Sequence, residues 1–134
     1  MIQKRLIMSE LKRTFPGMIK FYGYKKCSTS RKAEKYLSDR GISYDFIDIT
    51  EKPPSQAVLK QAAKSAEIPA KKMFNTSGQE YRQQGIKDKL PELKDGDVFK
   101  MLASNGRLIK RPVVTDGMRA TVGFSEESYN KTWK

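Results

Sequence analysis

The chain has 134 residues, 37% hydrophobic and 31% charged, with 27 Lys and Arg against 15 Asp and Glu for a formal net charge of +12. That is enough chain for one core of ordinary size and too little for two domains; no apolar run reaches the roughly 18 residues of a membrane helix; and the absence of histidine removes Ser/His/Asp hydrolysis, Cys/His proteolysis and most zinc or iron sites. The positive balance favours an anionic partner, whether oxyanion, nucleic acid or acidic protein surface, with a merely solvated basic surface as the alternative, because cations alternate with acids in stretches such as "KAEKYLSDR".

Residues 1–17 read as a basic, disorder-prone extension: Lys4, Arg5, Lys12 and Arg13 stand against Glu10, and the breaker pair Pro16-Gly17 closes the segment. Charge interrupts its apolar residues, so no secretory segment is expected and the protein is expected in the cytoplasm. A single folded domain is predicted over residues 18–134. "MIKFYGY", residues 18–24, is short and rich in aromatics, which suits a central strand. The following "STSRKAEKYLSDRG" places Ala33, Tyr36 and Leu37 at helical spacing, with hydroxyls for an N-cap and Gly41 as a stop. "ISYDFIDIT", residues 42–50, is a second strand, which completes a βαβ unit.

Pro53-Pro54-Ser55 opens an amphipathic helix marked by Val58, Leu59, Ala62, Ala63 and Ala66. From Ala70 to Leu102, short helical pieces broken at Gly78, Gly85, Pro91 and Gly96 form an inserted helical layer, with Phe74, Tyr81, Leu90, Leu93, Val98, Phe99, Met101 and Leu102 as core candidates. "PVVT" and "ATVGF" flank the turn signal Asp116-Gly117, predicting a hairpin. A last helix begins at Ser125, with Glu126 and Glu127 in its first turn. The order predicts a mixed sheet with helices packed on it.

Cys27, the sole cysteine, has no internal disulfide partner. It falls between the first strand and the first helix, where unpaired amides and the helix dipole favour an anion. Lys25, Lys26 and Arg31 add positive charge, and Ser28, Thr29 and Ser30 offer hydroxyl donors. These ingredients lower cysteine pKa values in reactive sites, and the same amide cradle suits phosphate or arsenate. The competing reading is an inert thiol packed under the helix. Any oxidised or substrate-bound state of this sulfur must be resolved by an external thiol.

"FYGYKKCSTSRKAEKYL", "KPPSQAVLK", "FNTSGQEYR", "LASNGRLIKRPVV" and "TVGFSEE" occur in an order and spacing that resembles the arsenate reductase (ArsC), Spx and MgsR family, and within it the small YusI-like members, over about residues 18–134. The resemblance implies an α/β fold, a thioredoxin/glutaredoxin-like mixed sheet with an inserted helical subdomain. It implies that Pro112, before the third strand, is cis and faces the cysteine, and that Cys27 is a nucleophile with Ser30 where redox relatives often carry a second cysteine. In family enzymes the thiolate attacks arsenic, glutathione displaces the adduct and glutaredoxin resolves it. Glutathione or another low-molecular-weight thiol is thus implied as co-substrate, with no bound cofactor or metal.

The resemblance also implies three oxyanion-binding arginines beyond the cysteine loop. Arg111 in "IKRPVV" matches one; Asn75 occupies the position of the first; the last falls near Gly123-Phe124, where no arginine stands. Arg82 and Arg119 stand near these positions as candidate substitutes, with a surface position as the favoured reading of each. Cys27, Arg31 and Arg111 are therefore the expected catalytic residues, and Ser28, Thr29, Ser30, Asn75 and Pro112 the expected substrate-binding ones.

A second reading comes from Spx-type relatives, which bind the C-terminal domain of the RNA polymerase α subunit, usually with a C-x-x-C redox switch. Ser30 removes that switch, and the glycine-containing contact loop is not evident in "SAEIPAKK". A monomer is expected, without direct DNA reading, since no recognition-helix pattern is present.

Overall fold

Strand β1 (Lys20–Gly23) decides how the molecule is layered. Its side chains alternate across the sheet, so Phe21 and Tyr22 enter opposite faces, and both are buried. Phe21 joins Ala33, Leu37, Val114, Tyr129 and Trp133 in one core cluster. Tyr22 joins Ile49, Leu59, Leu102, Val113 and Ala120 in the other. A sheet buried on both faces needs helices on both, which is the predicted α/β, thioredoxin/glutaredoxin-like arrangement. The computed structural model describes residues 19–134, so the expected extension over residues 1–17 lies outside the described residues.

The sheet order is β2-β1-β3-β4. Strand β2 (Asp45–Asp48) runs parallel to β1, which requires a crossover, supplied by helix α1 (Ser28–Asp39). Strand β3 (Val113–Thr115) runs antiparallel to β1, with Phe21 opposite Val114 and Tyr22 opposite Val113. Strand β4 (Ala120–Val122) continues the hairpin from β3. The turn between them is locked by Asp116, whose carboxylate accepts from the amides of Met118 at 2.9 Å and Arg119 at 2.7 Å.

Helix α1 buries Ala33, Tyr36 and Leu37, as their spacing predicts, and ends where Gly41 takes a positive φ of 69°. The amides of Gly41 and Ile42 return to the carbonyls of Ser38 and Leu37, a Schellman motif. Helix α2 (Gln56–Ser65) starts at Ser55, whose side chain accepts from the Val58 amide, and closes with the same motif. Here the left-handed residue is Glu67, at φ 59°.

The insert follows as α3 (Gln79–Gln83), α4 (Ile86–Lys89) and α5 (Asp95–Ser104), with 3₁₀ turns at Ala70–Met73, Leu90–Glu92 and Gly106–Leu108. Phe74, Tyr81, Val98, Phe99 and Leu102 are buried against the Tyr22 face, and Leu90, Leu93 and Met101 pack half-buried around them. Helix α6 (Glu126–Thr132), capped by Ser125, packs Tyr129 and the following Trp133 on the Phe21 face. The Trp133 indole N–H donates to the buried Thr121 hydroxyl at 2.9 Å.

Candidate active site

Cys27 stands at the mouth of α1 because the chain turns tightly after β1. Its amide donates to the Tyr24 carbonyl at 3.0 Å, and its own carbonyl accepts the first intrahelical bond, from Arg31 at 3.0 Å. Cys27 is thus the N-cap, with extended dihedrals of φ −88° and ψ 123°. Its side chain makes no capping hydrogen bond, but the sulfur lies at the helix mouth, where the amides of Thr29 and Ser30 favour its charged form.

Partial burial pushes the thiol pKa up. The amide and hydroxyl of Ser30, the Arg111 guanidinium and the Thr29 amide outweigh that effect, so it lies below the ordinary value of 9.0. Cys27 is half-buried, not sealed under the helix. Ser30 is itself fully buried, and its hydroxyl accepts from the Tyr24 amide at 3.2 Å while serving the sulfur.

The expected set of cations divides. Arg111 acts on the sulfur, but Arg31 does not: its guanidinium donates to the Lys25 carbonyl at 3.2 Å, on the exposed side of α1. Lys25 is likewise turned away, paired with Glu34 at 3.1 Å and lying 4.0 Å over the Phe46 ring. Helical geometry explains this. Arg31 sits one full turn beyond the N-cap, and its long side chain reaches back to the strand–helix loop rather than across the helix mouth.

Long-range pairing brings Asn75 and Arg111 to the cysteine. Phe74 forms an antiparallel bridge with Ile109, the Asn75 amide donates to the Leu108 carbonyl at 2.7 Å, and the Lys110 amide donates to the Met73 carbonyl at 2.7 Å. The result is a cleft of about 870 Å³ onto which Cys27, Ser28, Thr29, Asn75 and Arg111 all open. The Arg111–Pro112 bond is cis, as expected. Pro112 itself is buried behind the cleft wall and is not one of its lining residues; its carbonyl accepts from the Gly123 amide at 2.8 Å.

Neither substitute arginine enters the cleft. Arg82 donates to the Ser77 carbonyl, and Arg119 is held by Asp116, by the Thr132 carbonyl and against the Trp133 ring. At the last expected arginine position, Gly123 has φ 80°, and a β-carbon there would stand 3.0 Å from the Lys110 side chain. That backbone suits glycine and crowds anything larger. The cleft is instead furnished with Lys110, Lys131 and Glu67, none of which sequence reasoning singled out. Lys110 adjoins the Arg-Pro pair and was within reach of a motif argument; Lys131 and Glu67 carry no local signal.

Among the described residues no three His, Cys, Asp or Glu side chains converge into a metal-binding group. Among the same residues no helix is long and apolar enough to cross a membrane.

Over most of its length the chain is similar to known proteins. The chain is 44% identical over 113 residues to YusI of Bacillus subtilis (strain 168), covering 84% of this chain and 96% of YusI. It is 24% identical over 114 residues to the global transcriptional regulator Spx of Listeria innocua, covering 85% of this chain and 86% of Spx. The crystal structure of a possible arsenate reductase from Streptococcus mutans UA159 matches with a TM-score of 0.76 at 40% identity, covering 85% of this chain and 98% of that one. The model of the ArsC family matches residues 22–132, nearly the whole described fold, and the chain belongs to that family.

Proposed function

We propose that this protein is a cytoplasmic thiol oxidoreductase with one nucleophilic cysteine, acting on an oxyanion or on a mixed disulfide with a low-molecular-weight thiol. The observation that carries the reading is the Cys27 sulfur at the N-cap of α1, its pKa lowered by Ser30, Arg111 and Thr29 against the opposing effect of burial, and open to the cleft. A thiolate, not a thiol, is the attacking species in such chemistry.

With arsenate the sulfur displaces one oxygen as water, taking up a proton and forming a sulfur–arsenic(V) bond. Glutathione then attacks Cys27 sulfur; the two-electron reduction of arsenic to arsenic(III) matches formation of one S–S bond, and the glutathione proton passes to the leaving arsenite. A second thiol, from glutathione or glutaredoxin, regenerates Cys27 by disulfide exchange. Arg111 and the first-turn amides of α1 are the donors for the oxyanion, with Ser28 and Thr29 lining its approach and Asn75 shaping the far wall.

Arsenate-dependent NADPH oxidation, coupled through glutathione, glutathione reductase and glutaredoxin, tests this reading. Activity abolished by Cys27→Ser is the expected result, and a rate indifferent to that substitution rejects it. The likeness to Spx supports a second reading, a regulator that binds the RNA polymerase α C-terminal domain. Retention on that domain independent of Cys27, with no turnover, is the outcome that favours it. The buried Ser30 argues against a disulfide switch in either case.

A further inference from the structure

Behind Arg111 lies a second, smaller cavity of about 260 Å³, separate from the Cys27 cleft but sharing Asn75, Gly78 and Arg111 with it. Tyr24, Thr50, Gln79, Glu80 and Arg107 complete its polar lining. Among the described residues neither Arg107 nor Arg111 makes an ion pair, although the Arg107 charge helps hold the Asp48 carboxyl below its ordinary value and Arg111 also acts on the Cys27 sulfur. Arg111 lies 5.1 Å over the Tyr24 ring, which holds its plane between the two spaces. Glu80, the acid in the lining, is engaged by Asn105 at 3.0 Å and Gln84 at 3.3 Å.

The backbone of Arg107 is placed firmly. It belongs to the 3₁₀ turn Gly106–Leu108, its amide donates to the Asn105 side chain at 3.0 Å, and Gly106 sits so close to the Ile49 carbonyl that a β-carbon there would collide with it. A turn pressed on the end of β2 therefore fixes the Arg107 backbone, and its exposed side chain lines the cavity together with Arg111.

We propose that this cavity is a carboxylate subsite and that Arg107 is a specificity-determining residue. It favours organic disulfides bearing a carboxylate over inorganic oxyanions, which have no second anionic arm. The inference rests on Cys27 being the nucleophile. In the step served, the Cys27 thiolate attacks one sulfur of R–S–S–R, a Cys27–S–S–R bond forms as the original S–S bond breaks, and the leaving thiolate takes a proton from solvent. The retained R group keeps its carboxylate on Arg107 and Arg111, a charge-assisted, fork-shaped pairing.

The test measures mixed-disulfide formation on Cys27 by intact mass against time, with dithiodipropionate (anionic), hydroxyethyl disulfide (neutral) and cystamine (cationic), in wild type, Arg107→Gln, Arg107→Lys and, as a control at an exposed α1 cation paired with Asp39 and outside both cavities, Lys35→Gln. Arg107→Gln is expected to lower the anionic-to-neutral rate ratio about tenfold, with the neutral rate unchanged, Arg107→Lys intermediate and Lys35→Gln like wild type. An unchanged ratio, an equal fall for all three probes, or the same loss in Lys35→Gln overturns the subsite. Iodoacetamide reactivity separates the two ideas: a Cys27 as sluggish as a free thiol removes the nucleophile reading, while the anionic-to-neutral ratio still reports on Arg107.

Discussion

Ser30 stands one helical turn from Cys27 with its hydroxyl wedged between the Tyr24 amide and the Cys27 sulfur, accepting from the first at 3.2 Å and favouring the charged form of the second. One buried side chain thus completes both the turn that ends β1 and the environment of the nucleophile. Ser30→Ala is expected to leave the Tyr24 N–H unsatisfied, lowering stability by about 1–3 kcal/mol. It should also move the pH midpoint of iodoacetamide alkylation upward. Urea unfolding and alkylation rates read the two effects, and a midpoint that stays put removes Ser30 from the thiolate's support.

Arg111 and Arg31 make a contrasting pair. Arg111→Gln removes the guanidinium that acts on the sulfur and is expected to raise the alkylation midpoint and cut turnover about a hundredfold. Arg31→Gln removes only an exposed bond to the Lys25 carbonyl, and turnover should stay within about twofold of wild type. Equal losses in the two variants would restore Arg31 to the site and contradict its observed direction.

Thiolate stabilisation also couples to folding. Because the native Cys27 pKa lies below the ordinary 9.0, there is a pH window in which the unfolded chain still holds a proton that the native chain has released. Stability rises with pH across that window, is fully present above the ordinary thiol value, and is lost as pH falls through the lowered native value. Urea unfolding of wild type and Cys27→Ser between about pH 6 and pH 10 should show a stability difference that shifts toward wild type as pH rises. A difference flat in pH contradicts a depressed native pKa.

Two backbone positions predict opposite signs. A β-carbon at Gly106 collides with the Ile49 carbonyl, so Gly106→Ala is expected to destabilise by about 1–3 kcal/mol. Glu67 holds a left-handed φ of 59° where the motif ending α2 favours glycine, so Glu67→Gly should stabilise by about 1 kcal/mol. Denaturant midpoints measure both. Because Glu67 lines the cleft, turnover that falls in a stabilised Glu67→Gly would assign it a part in binding.

The chain order of strands and helices, the buried faces of α1 and α2, the hairpin around Asp116 and the helix start at Ser125 were all legible by themselves, because each follows from periodicity, capping or turn chemistry acting over a few residues. Cys27 at a helix mouth was legible for the same reason. What tertiary structure alone decided is which charges reach that sulfur. Arg31, near in sequence, is turned to a carbonyl by the pitch of its own helix, while Arg111, which only the family resemblance marked, arrives through a bridge between Phe74 and Ile109 that no local pattern announces. Electrostatic support acts through a few ångströms of space and not through positions along the chain, so the sequence by itself determined where the nucleophile sits, and the packing of remote segments determined what activates it.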